Sequence, residues 1–90
     1  MKKIIWKFPI NTDLKSWIEL PGRNAKPIHV NFDGDSKLCL WAEVTPEDVY
    51  IKRAWIDIVG TGHELLTDTG TYINTFMRNE FVFHAYYTLS

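Results

Sequence analysis

KPIHVNFDGDSKLCLWAEV, residues 26–44, is the stretch on which the fold turns. In its first half Ile28, Val30 and Phe32 fall on one side of an extended chain, and in its second half Leu38, Leu40, Ala42 and Val44 do the same. A repeat of two fits a half-buried strand and not a helix, whose apolar positions recur every three to four residues. Between the halves, Asp33-Gly34-Asp35 is the strongest hairpin signal in the chain. The two halves are therefore expected to pair as antiparallel strands.

The same period spreads outward in both directions. KIIWKF turns Ile4, Trp6 and Phe8 one way before Pro9, and KSWIELPG alternates until Pro21-Gly22 forces a turn. YIKRAWIDIVG sets Ala54, Ile56 and Ile58 against Arg53, Trp55 and Asp57. TYINTFM and EFVFHAYY form a last hairpin joined near Arg78-Asn79. TPED, residues 45 to 48, has a capping threonine and a proline suited to a first helical position, with room for one turn at most. About seven short strands and at most one helical turn predict an all-β domain spanning residues 1–90, an antiparallel sandwich or small barrel.

Composition narrows the classes of function. Of the 90 residues 46% are hydrophobic and 14% aromatic, which excludes a disordered chain. A formal net charge of -1 gives no field that would hold a phosphate backbone, so nucleic acid is not an expected partner, although Lys2, Lys3 and Lys7 make a local basic edge. Cys39 is the single cysteine, no apolar run reaches the roughly 18 residues of a membrane span, and Lys7 and Asp13 interrupt any leader-like core. The expected setting is cytoplasmic, with no membrane partner. A domain this small buries only roughly 60 to 65% of the surface of its unfolded chain, which makes self-association a reasonable expectation.

LCLWAEV, IVGTGHEL, TYINTF and FVFHAYY, taken in this order, resemble a family of small uncharacterised phage and prophage proteins. The likeness covers Ile4 to Tyr86, and Leu40-Trp41-Ala42, Gly60 to His63, Tyr72-Ile73 and His84 match its pattern. Asn74 departs from the glycine of that pattern, and residues 45 to 51 depart from its short acidic loop. The resemblance implies a phage protein that acts in a bacterial host cell, where small proteins of this origin often bind host machinery, including defence systems, or sequester a signalling molecule. It supplies no catalytic or cofactor-binding role.

Two groups of residues are candidate binding sites. Gly60, Thr61, Gly62 and His63 read either as the corner where a strand exits or as a small anion-binding nest, to which Arg53 or Arg78 would add charge. The corner is the better reading, since the following ELLTDTGTY has no long helix to lend its N-terminus. His63 beside Glu64 lacks any accompanying nucleophile or metal set, and His29, His63, His84 and Cys39 lack ligand spacing, so neither catalysis nor a cofactor is expected. His84 reads as a partly buried imidazole hydrogen-bonded to backbone or to the GTGH loop, and Cys39 as a small packed residue. The second group is aromatic: with aliphatic residues filling the core side, alternation throws Trp17, Trp41, Trp55 and Tyr86 onto the opposite face, unless the segments 9–16 and 61–71 fold over them.

The leading expectation is a non-catalytic binding protein that blocks a host protein through this aromatic face or an edge strand. The alternative is an oligomeric protein that sequesters an anionic, nucleotide-like small molecule near the GTGH loop.

Overall fold

The computed structural model describes residues 1–11, 17–65 and 69–90. Seven strands follow in order: β1 (Ile4–Pro9), β2 (Ile18–Pro21), β3 (Lys26–Phe32), β4 (Leu38–Val44), β5 (Ile51–Gly60), β6 (Thr71–Arg78) and β7 (Phe81–Leu89). They form two antiparallel sheets, β1-β4-β3 and β2-β5-β7-β6. This is a small all-β sandwich with no helix among the described residues. TPED makes a tight turn instead of a helical one, closed by the Asp48 N–H donating to the Thr45 carbonyl at 3.0 Å.

Both predicted hairpins form. Asn79-Glu80 is the two-residue link between β6 and β7, with Arg78 opposite Phe81 and Asn79 at φ 56°. The β3–β4 link works differently from a two-residue Asp-Gly turn. Asp33 caps a longer loop by accepting the backbone N–H groups of Asp35 and Lys37, and the left-handed residue is Ser36, at φ 62°. In β3 the expected alternation also breaks. Pro27 stands opposite Ala42 and His29 opposite Trp41, so Ile28 is the extra residue of a bulge and Pro27 takes the fully buried place. A proline in a strand is tolerated at such an irregularity, where no ladder donor is lost.

Leu20, Val30, Leu40, Ala42, Val44, Ala54 and Ala85 are buried between the sheets, with Ile18, Phe32, Leu38, Ile56, Ile58 and Phe83 packed around them. The layers meet along two lines: β3 runs beside β6, and β2 lies against β4. At the first line the Asn74 side chain bridges the sheets, its Oδ1 accepting the Val30 N–H at 2.8 Å while its Nδ2 donates to the Val30 carbonyl at 2.9 Å.

Two carboxylates pin the loops. Asp48 is buried, its Oδ2 accepting the Arg23 N–H at 3.0 Å and Arg23 Nε at 3.2 Å, and its Oδ1 the Tyr50 N–H at 3.2 Å. The Arg23 amide, followed by the Tyr50 amide, brings its carboxyl down to about 2. The Lys37 amide does the same for Asp33, with help from the Asp35 amide and the Lys7 ammonium, also to about 2. A folded-state value below the ordinary ~3.9 contributes stability that is complete above about pH 4 and is lost as pH falls toward 2. The melting temperature of the protein is therefore expected to drop between pH 4 and pH 2. Asp48→Asn is expected to melt lower at pH 7 and to show a flatter profile in that window, converging with the parent near pH 2; thermal melts followed by circular dichroism across the series check this.

Candidate functional site

The outer face of the four-stranded sheet gathers most of the aromatic and polar candidates. β5 keeps Ala54, Ile56 and Ile58 inside and turns Arg53, Trp55, Asp57 and Val59 outward. Register then sets Thr88 beside Trp55, Tyr86 beside Asp57 and His84 beside Val59 on β7, and on β6 Tyr72 beside Tyr86 and Thr75 beside His84. Trp17 enters from the start of β2 and meets Trp55 with ring centroids 5.8 Å apart. The Arg53 guanidinium lies 4.9 Å from the Trp17 ring, and Tyr72 meets Tyr86 edge-on at 5.6 Å. Trp17 remains 45% exposed and Tyr72 52%, so neither ring is sealed inside the domain.

Three of the four predicted aromatic residues, Trp17, Trp55 and Tyr86, therefore share one surface. Trp41 does not. It lies on the outer face of the other sheet, between Lys7 and His29, whose ring is 5.5 Å away. The reason is topological: β4 and β5 belong to different sheets, so residues with the same outward parity face opposite sides of the sandwich. The expected covering of these rings by segments 9–16 and 61–71 falls partly on residues 12–16 and 66–68, which lie outside the described residues.

At the far end of the same face a chain of hydrogen bonds runs through His84. Tyr72 Oη lies 2.6 Å from Thr75 Oγ1, Thr75 Oγ1 lies 2.9 Å from His84 Nδ1, and His84 Nε2 lies 2.8 Å from Thr61 Oγ1. The Thr61 hydroxyl donates to the Val82 carbonyl at 3.3 Å. With its one hydrogen on that carbonyl, the Thr61 oxygen accepts from Nε2. In the neutral ring Nδ1 then accepts from Thr75, and Thr75 in turn accepts from Tyr72. Every hydroxyl donates once and both ring nitrogens are engaged. The expected link between His84 and the GTGH loop is made through Thr61, while Thr75 and Tyr72 complete a group that residue spacing alone does not reveal.

The GTGH stretch is a strand exit. β5 ends at Gly60, the His63 N–H donates to the Gly60 carbonyl at 3.1 Å, and the Thr61 N–H donates to the Val82 carbonyl at 3.1 Å. Two of the amides that an anion nest would use are thus committed to the turn and the sheet. Gly62 adopts φ 91°, whereas Gly60 does not have a positive φ, so only one of the two glycines answers a backbone requirement. A shallow pocket of about 240 Å³ borders the turn, lined by Val59 to His63, Leu65, His84 and Tyr86.

Neither arginine joins that pocket. Arg53 sits seven residues before Gly60 along β5, roughly 23 Å away at the usual rise. Arg78 turns to the other sheet, 4.3 Å from the centre of the Phe32 ring and 3.3 Å from the Ser36 carbonyl oxygen. Arg53 therefore does not belong with the GTGH residues, contrary to the expectation from sequence. Cys39 is buried, 3.6 Å from Asp33 Oδ2, and burial followed by that carboxylate raises its thiol above the ordinary range. Among the described residues no three of His, Cys, Asp and Glu come together as a metal set, and no helix is long and apolar enough to cross a membrane.

The chain belongs to the family described as Domain of unknown function (DUF7352), whose model matches residues 1–90. No curated protein and no solved structure matches it.

Proposed function

We propose that this member of the family is a non-catalytic binding protein that occupies a partner protein through the outer face of the β2-β5-β7-β6 sheet. One observation carries the reading: Trp17, Trp55, Tyr86 and Tyr72 lie on a single sheet face, with Trp17 and Tyr72 about half exposed. Tryptophan and tyrosine presented together on a rigid surface are the residue types that dominate interface energetics. Asp57, Arg53 and the hydroxyls around His84 surround them with polar groups, as in an interface rim. The resemblance to phage and prophage proteins supports a bacterial host protein as the partner. It likewise supports the host cytoplasm as the setting and blockade of host or defence machinery as the outcome.

Sequestration of an anionic, nucleotide-like molecule at the GTGH loop has less support. The pocket exists, but two of its amides are spent and both candidate arginines lie elsewhere.

The test is affinity capture from the bacterial host followed by measurement of the captured complex with variants. Trp17→Ser and Trp55→Ser are each expected to weaken binding about 30-fold, or about 2 kcal/mol, while the circular dichroism spectrum is unchanged. Trp41→Ser, on the other sheet, is expected to bind as the parent does. Full binding by the Trp17 and Trp55 variants would remove the proposal.

A further inference from the structure

Among the described residues β1 is an edge strand, bonded to β4 on one side only. The Ile10 N–H donates to the Leu38 carbonyl at 2.9 Å in the same register that sets Phe8 opposite Leu40, Trp6 opposite Ala42 and Ile4 opposite Val44. In an antiparallel pair the residues that point their backbone groups at the partner alternate. Ile4, Trp6 and Phe8 therefore bond to β4, and Lys3, Ile5 and Lys7 direct N–H and C=O groups away from the sheet. Pro9 falls in this outward set, where its missing N–H is not needed.

The side chains of this edge are also uncovered. Ala42 and Val44 are 0% and 1% exposed, yet their neighbours across the pair, Trp6 and Ile4, are 40% and 44% exposed on the same side. Cover from the opposing sheet ends between β4 and β1 at Ile4 and Trp6, whereas Phe8, farther along the strand, packs against the core. Ile5, on the outer side, is 59% exposed. Lysines and a proline are common protections of an edge strand, but they do not account for three large apolar residues left open within it.

We propose that the free edge of β1 docks an acidic extended segment of a partner protein, added antiparallel to Lys3–Lys7 as a fourth strand of the smaller sheet. Charge selects the occupant. Lys2 and Lys3 have no ion pair among the described residues, and Lys7 has one, at 3.3 Å from Asp33. A second copy of this strand paired over the same five residues would oppose Lys3 to Lys7 twice, which is unfavourable. An acceptable segment reads acidic, apolar, apolar, apolar, acidic. Its last position, facing Lys3, is the stronger determinant because Lys7 already answers Asp33. Single-stranded nucleic acid fits less well, since the edge offers backbone pairing and apolar contacts more than it offers charge.

The probe is a synthetic peptide with the core Glu-Val-Ile-Val-Glu between Gly-Ser flanks, set against the same peptide with lysines for the glutamates. The acidic peptide is expected to bind the full chain at least tenfold tighter at low salt. In the complex, hydrogen exchange of the Ile5 and Lys7 amides is expected to slow, while that of Trp6, already bonded to Ala42, changes little. Ile5→Pro removes an outward N–H without breaking the pairing to β4 and is expected to weaken binding at least tenfold. Lys3→Glu keeps the strand intact and is expected to reverse the preference toward the lysine peptide. Trp55→Ser is expected to leave the peptide bound, which separates this edge from the aromatic face. Equal affinity for both peptides, protection elsewhere than at Ile5 and Lys7, protection of these amides by self-association alone, or displacement of the peptide by oligothymidylate would each overturn the proposal.

Discussion

Asn74→Ala is expected to lower the unfolding free energy by about 3 kcal/mol, because it strands two backbone groups at once. Val30 is fully buried and its N–H and C=O point away from β4, since Leu40 opposite it bonds to β1. The Asn74 amide is their partner in both directions, at 2.8 and 2.9 Å, and it reaches them because a bulge between Tyr72 and Asn74 re-aims that part of β6. In a chain of this size a loss of 3 kcal/mol corresponds to a fall of roughly 12 to 24 °C in melting temperature. Asn74→Asp separates the amide from its shape. The introduced carboxylate still accepts the Val30 N–H but meets the Val30 carbonyl with negative charge, so at pH 7 this variant is expected to be at least as unstable as the alanine one. Only the protonated carboxyl can donate to the carbonyl, so its folded-state pKa lies above the unfolded one, and the variant is expected to regain stability relative to the parent as pH falls from 7 toward about 4, where the regain is complete. Denaturant unfolding at pH 7 and pH 4 measures both effects, and an alanine variant within 0.5 kcal/mol of the parent would show that water replaces the amide.

Strands and hairpins were legible because their determinants are local. Leu38, Leu40, Ala42 and Val44 alternate without interruption, and all seven expected strands form within a few residues of the expected places. Contacts between distant segments were not legible. Nothing near Pro27-Ile28 announces the bulge that buries the proline, because the bulge follows from the pairing of β3 with β4. Alternation gives the outward parity of Trp17, Trp41 and Trp55, but parity does not say which sheet a strand joins, and Trp41 lies across the sandwich from the other two rings. His84 could be tied to the GTGH loop, whereas Thr75 and Tyr72 required knowing that β6 lies beside β7 in one particular register. Asn74, met only as a departure from a glycine pattern, gave no sign that it joins two sheets.

Gly70→Ala is expected to destabilise the fold by about 3 kcal/mol, more than either glycine of the conspicuous GTGH stretch. A Cβ at Gly70 would collide with the Tyr87 carbonyl oxygen and lie 2.6 Å from the Thr88 hydroxyl and from the Tyr87 carbonyl carbon. Two of these three atoms are backbone of β7, the strand bonded to both β5 and β6, so relief requires moving the centre of the sheet. Gly62 is strained in another way: its φ of 91° disfavours a side chain, but a Cβ there meets nothing among the described residues within 4 Å, and Gly62→Ala is expected to cost only about 1 kcal/mol. Gly60 has no positive φ, and a Cβ would sit 3.4 Å from the His63 ring, an ordinary contact, so Gly60→Ala is expected to be nearly neutral. The ranking Gly70, Gly62, Gly60 can be read from three denaturation curves. Equal losses at all three positions would mean that β7 yields to an added methyl group and that the contact with Tyr87 does not fix where the chain enters β6.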